Sequence, residues 1–130
     1  MKNWEYYMSF AQRVFETKRA ALGFLIQAKK EKKKIAGFGA PAKGNTFLNY
    51  CGIRTDFIDF TVDDTPAKQE RFLPGTHIPI KSAKALRENK PDYVVILPWN
   101  FKDEIVKKHS YIKEWGGKFV VFIPETKIID

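Results

Sequence analysis

The sequence predicts an α/β fold: a small Rossmann-like three-layer sandwich with a mostly parallel sheet of four or five strands, preceded by a long N-terminal helix. Three observations predict it. Short apolar runs alternate with helical segments from Lys34 onward, the pattern of strand–helix–strand units whose sheet is covered on both faces. A glycine-rich turn, "GFGAPAKG", joins the first run to the helix after it. The chain has 130 residues and is 44% hydrophobic, the size of one ordinary domain with enough apolar residues for a core.

Residues from about Asn3 to Lys30 read as one helix. Trp4, Tyr7, Met8, Ala11, Val14, Phe15, Leu22 and Leu25 recur at three- and four-residue spacing. The segment has no proline, and Gly23 alone weakens it. Such a helix either caps the core or connects this unit to something upstream, so residues 1–33 are set apart as a connector helix from a Rossmann-like unit over residues 34–130. "KKEKKK", Lys29 to Lys34, reads as a solvated helix end, where cations suit the negative pole of the helix dipole.

"KIAGFG" is a short buried strand, and "PAKGNTFLNYCG" a helix closed by Gly52. "DFIDFTVDD" is strand-like, "TPAKQERFLPGTH" a loop shaped by Phe72, Pro74 and Gly75, and "IPI" a short strand. "SAKALRENK" is a helix with Ser82 as its N-cap. "DYVVILPW" is a buried strand. "FKDEIVKKHSYIKEWGG" is an amphipathic helix stopped by two glycines, and "KFVVFIP" is the last strand. There are no repeats and no low-complexity segments.

Several function classes are disfavoured. No apolar run approaches the roughly 20 residues of a membrane helix. The start, "MKNWEYYMSF", lacks the features of a secretory signal, so a cytoplasmic protein is expected. The single cysteine, Cys51, permits no internal disulfide and no multi-cysteine zinc site; it reads as a small buried residue. The net charge of +8 suits an anionic partner. Nucleic acid is not the expected one, because basic and aromatic residues do not interleave as on a nucleic-acid-binding sheet.

The glycine turn lies where such sheets bind anions: at the carboxyl end of a strand and the N-terminus of a helix, whose first N–H groups are unpaired. A Walker A loop is excluded, because Asn45 rather than lysine follows Gly44. The dinucleotide fingerprint fits Gly37, Gly39 and Ala42, with Asp59 or Asp63 as the ribose carboxylate. That fingerprint has no use for Lys43, a point charge well placed for one or two phosphates. A tight turn without ligand is the remaining alternative.

Other candidates are fewer. Thr46 either donates its hydroxyl at the helix start or caps it. Asp63 and Asp64 follow the second strand and serve either hydroxyl recognition or the turn before Pro66. Lys68 and Arg71 are phosphate ligands or solvated cations. His77 is a structural residue entering a strand or a proton shuttle. His109 is expected at the surface and Glu125 at the close of the last strand. Pro98, Trp99 and Asn100 stand at a strand's carboxyl end, where Trp99 stacks on a base or sugar and Asn100 bonds it, or where both serve packing and capping. No nucleophile, base and orienting group can be assembled, so no catalytic residue is assigned.

Ordered stretches carry a further signal: "GFGAPAKGNTFLNYCGI", "VDDTPAKQERFLPGTHIPI", "PDYVVILPWNF", "GGKFVVFIPE" and the closing "II". Together these resemble the C-terminal domain of SAM-dependent sugar C-methyltransferases, from about Lys34 to Asp130 with the long helix as lead-in. The resemblance implies a domain that helps to hold a nucleotide-diphosphate sugar against a SAM-binding domain. Complete members carry a zinc module and a central SAM domain with the catalytic base, and neither fits in this chain. It would be inactive alone, whether it is a separate subunit or one domain of a longer protein. The resemblance implies SAM in the complete enzyme and no cofactor in this domain. Its partners are the nucleotide sugar and a SAM domain in cis or trans, with no nucleic acid and no membrane. Gly37, Gly39, Ala40, Lys43, Gly44 and Asn45 then line the first turn, with Lys43 and backbone donors on the diphosphate or adjacent ribose. Asp63, Pro98, Trp99 and Asn100 complete the set. The alternative is a stand-alone dinucleotide module of the NAD type.

Overall fold

Strand β1 (Ile35–Phe38) runs through the middle of the sheet, and all of its residues are buried. Side chains alternate along a strand, so neighbours feed opposite faces. Ile35 joins one core layer with Val95, Leu97, Val120 and Phe122, while Ala36 and Phe38 join the other with Val94, Ile96, Phe119 and Val121. The computed structural model describes residues 3–123 and 125–129, with side-chain surroundings from residue 12 onward.

The sheet has seven strands. To β1 are added β2 (Thr61–Val62), β3 (Arg71–Phe72), β4 (Pro79–Lys81), β5 (Tyr93–Ile96), β6 (Lys118–Val121) and β7 (Lys127–Ile129). Their order is β3-β4-β2-β1-β5-β6-β7. The five expected strands, β4, β2, β1, β5 and β6, are mutually parallel. The edge strands β3 and β7 are antiparallel additions. Helices α1 (Asn3–Lys30) and α2 (Ala42–Cys51) cover one face: Ala21, Leu25 and Ala28 of α1 and Leu48 and Cys51 of α2 lie in that core. Helices α3 (Lys84–Asn89) and α4 (Lys102–Lys108) cover the other through Ala85, Leu86 and Ile105. This is the expected three-layer sandwich. No helix among the described residues is long and apolar enough to cross a membrane.

Helix α1 ends at Lys30, with Lys29 and Lys30 in its last turn. Val14 and Leu22 are half-buried, Phe15 is exposed and Leu25 is fully buried. The side chains of Trp4, Tyr7, Met8 and Ala11 lie outside the described residues. Gly52 closes α2 as expected: at φ 73° it donates to Asn49 O, and Ile53 N reaches Leu48 O at 2.9 Å.

Other boundaries differ. Ser82 is not the cap of α3; Ala83 holds that place without a side-chain bond, and Ser82 contributes only its carbonyl, to Ala85 N at 3.0 Å. The expected strand over residues 56–64 shrinks to β2, because Phe57 and Ile58 close a turn onto Arg54 O. The amphipathic helix breaks at His109 (φ −113°) and continues as a 3-10 segment, Ser110–Trp115, to Gly116 at φ 79°. The last parallel strand stops at Val121, and Pro124 lies outside the described residues.

Candidate functional site

From β1 the chain crosses to β2 on one side, and from β5 to β6 on the other. Adjacent strands whose connections diverge leave a crevice at their carboxyl ends, where open α/β sheets bind ligands. One wall of that crevice is Pro41, Ala42 and Lys43 at the start of α2. The other is Leu97 to Phe101 after β5, and the groove between them holds about 280 Å³.

The first wall is held by backbone. Gly39, at φ 94°, turns the chain out of the sheet. Its N–H donates to Val62 O at 2.6 Å, and its carbonyl accepts the Thr61 hydroxyl at 2.7 Å. Pro41 stands at the N-cap of α2 and offers no side-chain bond. The first intrahelical bond runs from Asn45 N to Pro41 O at 3.0 Å. The exposed Ala42 and Lys43 precede it, so no side chain caps their N–H groups at the positive end of the helix dipole. Leu97 N donates to Phe38 O at 3.0 Å and holds the second wall against β1. Trp99 is half-buried and packs on the α4-side core; Asn100 is exposed.

The small residues of the turn are needed by this packing. A Cβ on Gly39 would lie 2.5 Å from Pro98 Cδ, and one on Gly44 would lie 2.9 Å from Leu97 Cβ. Gly37 lies within β1, where a Cβ would meet Thr61 Oγ1 at 3.0 Å. Ala40 is half-buried and packs on the α2-side core.

The structure thus brings Lys43, Pro98, Trp99 and Asn100 to one groove, and Gly39 and Gly44 set its walls together. Asn45 turns elsewhere: its amide donates to Pro74 O at 3.1 Å, and Asn49 donates to the same carbonyl at 3.0 Å. Asp63 is buried and accepts Thr65 N at 2.8 Å, forming the turn ahead of Pro66. Asp59 precedes β2 and bonds Ile35 O through its N–H at 3.1 Å, so it sits at the amino end of the sheet, away from the crevice. Thr46 bonds back to Ala42 O at 2.9 Å and caps nothing. Lys68, Arg71 and Glu125 are exposed. His77 is exposed on the turn before β4, at φ 58°, on the amino side of the sheet. Cys51 is buried, and burial, only partly opposed by Lys18, pushes its thiol up to about 11. Phe101, 57% exposed in the groove wall, escaped the sequence reading; its signal was an aromatic directly after "LPWN" at a strand end.

His109 is corrected from surface to core. It is 4% exposed and packs against Phe38 in a tilted arrangement, with ring centroids 4.6 Å apart. Its Nδ1 is 2.9 Å from the Tyr111 hydroxyl, and its buried Nε2 lies 3.5 Å from Asp64 Oδ2 without forming a hydrogen bond. Asp64 also pairs with Lys108 at 3.0 Å. Burial lowers the pKa of His109, against the opposing pull of Asp64. For Asp64, burial pushes the carboxyl upward, but Lys108 and His109 together hold it below its ordinary value.

A histidine whose pKa the fold depresses takes up its proton at lower pH than in the unfolded chain, where it protonates near 6.5. Its contribution to stability is therefore complete above pH 6.5 and is lost as pH falls through the folded value. Melting temperature should fall between pH 7 and 5, and His109→Gln should flatten that slope. A wild-type slope unchanged by the substitution would contradict this.

The comparisons agree with this architecture. The model of the C-methyltransferase C-terminal domain matches residues 1–124. The C-methyltransferase NovU of Streptomyces niveus is 42% identical over 97 residues, which are 75% of this chain and 23% of NovU. The chain thus spans under a quarter of that relative's length. Among solved structures, UDP-D-quinovosamine 4-dehydrogenase from Vibrio fischeri superposes with a TM-score of 0.54 at 15% identity, over 75% of this chain and 93% of that one. At that identity the likeness is one of fold. With a family match over nearly the whole chain, this protein belongs to the C-methyltransferase C-terminal domain family.

Proposed function

We propose that this chain is the nucleotide-sugar-binding C-terminal domain of a SAM-dependent sugar C-methyltransferase of deoxysugar biosynthesis, acting in the cytoplasm. The observation that carries the proposal is the uncapped start of α2 with Lys43, facing Trp99 and Asn100 across the crevice. A diphosphate is held by the N–H groups of Ala42 and Lys43 and by the Lys43 ammonium. Trp99 and Asn100 meet the base or the sugar. Residues 1–33, whose C-terminal half also packs on the sheet, lead to the SAM-binding domain, which comes from the same chain or a partner.

Two features count against SAM in this domain. Cofactors that lie across a glycine turn need their second glycine open and a carboxylate free after the second strand. Here Pro98 lies against Gly39, and Asp63 is engaged with Thr65. The same two features count against NAD. In this reading the domain positions substrate, and methyl transfer belongs to the SAM-binding domain.

The test is calorimetric titration of the purified chain with a thymidine-diphosphate sugar, NAD and SAM. The nucleotide sugar should bind, and Lys43→Ala should weaken it about tenfold by removing one charge-assisted contact. Binding of NAD in place of the nucleotide sugar would overturn the proposal in favour of a dinucleotide module.

A further inference from the structure

Two aromatic residues stand on the second wall of the groove, and their surroundings differ. Trp99 is half-buried, packing on the α4-side core while also lining the groove. Phe101 is two residues on, at the end of the 3-10 turn Trp99–Phe101 and 57% exposed. An exposed phenyl group in a groove wall opposite an uncapped helix start and a lysine combines a π-face with an anion site. A nucleoside diphosphate carries the complementary pair, a flat base and an adjacent double phosphate. The volume of about 280 Å³ lies at the small end of ligand sites and suits one nucleotide better than two. The net charge of +8 favours the same anionic class of ligand.

We propose that Phe101 is the base-stacking residue of this groove, so that the domain selects a nucleoside diphosphate over a base-free diphosphate. This rests on the diphosphate placement at α2 proposed above, and adds the residue that reads the base. Stacking of a base on an aromatic side chain is sequence-tolerant, so Phe101 confers preference for a base without choosing which one. Trp99, beside it in the groove wall, is then left to meet the sugar.

The experiment compares thymidine diphosphate, uridine diphosphate and inorganic pyrophosphate on the wild-type chain, Phe101→Ala, Phe101→Tyr and Lys43→Ala. Both nucleotides should bind the wild type about tenfold more tightly than pyrophosphate. Phe101→Ala should abolish that margin and leave pyrophosphate affinity unchanged, and Phe101→Tyr should retain the margin. Lys43→Ala should weaken all three ligands together. Because Phe101 is exposed, its variants should melt with the wild type, which a thermal scan checks. A nucleotide margin that survives in Phe101→Ala overturns the inference and leaves the diphosphate site standing. Nucleotide binding without pyrophosphate binding, lost in Phe101→Ala, supports Phe101 and counts against the α2 cradle. Silence from all three probes overturns both.

Discussion

Gly39→Ala is expected to cost roughly 2–5 kcal/mol of stability and to lower the melting temperature by about 10 °C. Two terms add. At φ 94° an L-residue meets its own backbone, which costs about 1–2 kcal/mol. The new methyl group also lands 2.5 Å from Pro98 Cδ and 2.9 Å from Pro98 Cγ, and overpacking of this kind costs about 1–3 kcal/mol. Neither wall can yield easily. Gly39 is held by hydrogen bonds to Val62 and Thr61, and the Leu97 N–H that precedes Pro98 is bonded to Phe38. The two terms are separable. Adding Pro98→Ala should recover the overpacking part and leave the strain, a coupling that a double-mutant cycle of thermal melts would read. A single Gly39→Ala variant within about 1 kcal/mol of wild type would contradict the collision. Pro98 also lines the groove, so the folded fraction of the single variant should bind nucleotide more weakly.

That glycine also marks how far the sequence could be read. The parallel strands were legible because β1, β5 and β6 are short apolar runs bounded by turn residues, and Gly52 announced the end of α2. The two walls of the groove were legible too, since a glycine turn and "LPWN" both end strands. The reason for the glycines was not. Gly39 and Gly44 are small because Pro98 and Leu97 press on them, and those residues come from a strand far along the chain. The direction of Asn45 was hidden for the same reason, because its partner Pro74 is 29 residues away. His109 sits in "KKHSY", a polar context that reads as surface; its burial depends on Asp64 and Phe38 arriving from other strands. Strands β3 and β7 are short and mostly exposed at the sheet edges, so no buried apolar run declares them.

Leu25→Ala is expected to cost about 3–5 kcal/mol, the largest loss from any one described side chain of α1. Leu25 is fully buried and belongs to the same core as Ile35, Leu48, Val95 and Val120. Truncation removes the transfer free energy of its methyl groups and leaves a cavity between a helix and a sheet, neither of which can collapse freely. Ala21 and Ala28, four residues before and three after, share that face, so they let the helix approach closely and leave Leu25 as the main anchor. In the same helix, Phe15 is 50% exposed and Ile26 is 45% exposed. Phe15→Ala and Ile26→Ala should therefore change stability by less than about 1 kcal/mol in this chain. Urea denaturation of the three variants checks the contrast. Equal, small losses would mean that α1 merely touches the sheet. A large loss at Leu25 alone would show that the C-terminal half of α1 is an integral layer of the sandwich, so that a connector role falls to the half before Ala21. That face also carries α2, whose uncapped end forms one wall of the groove.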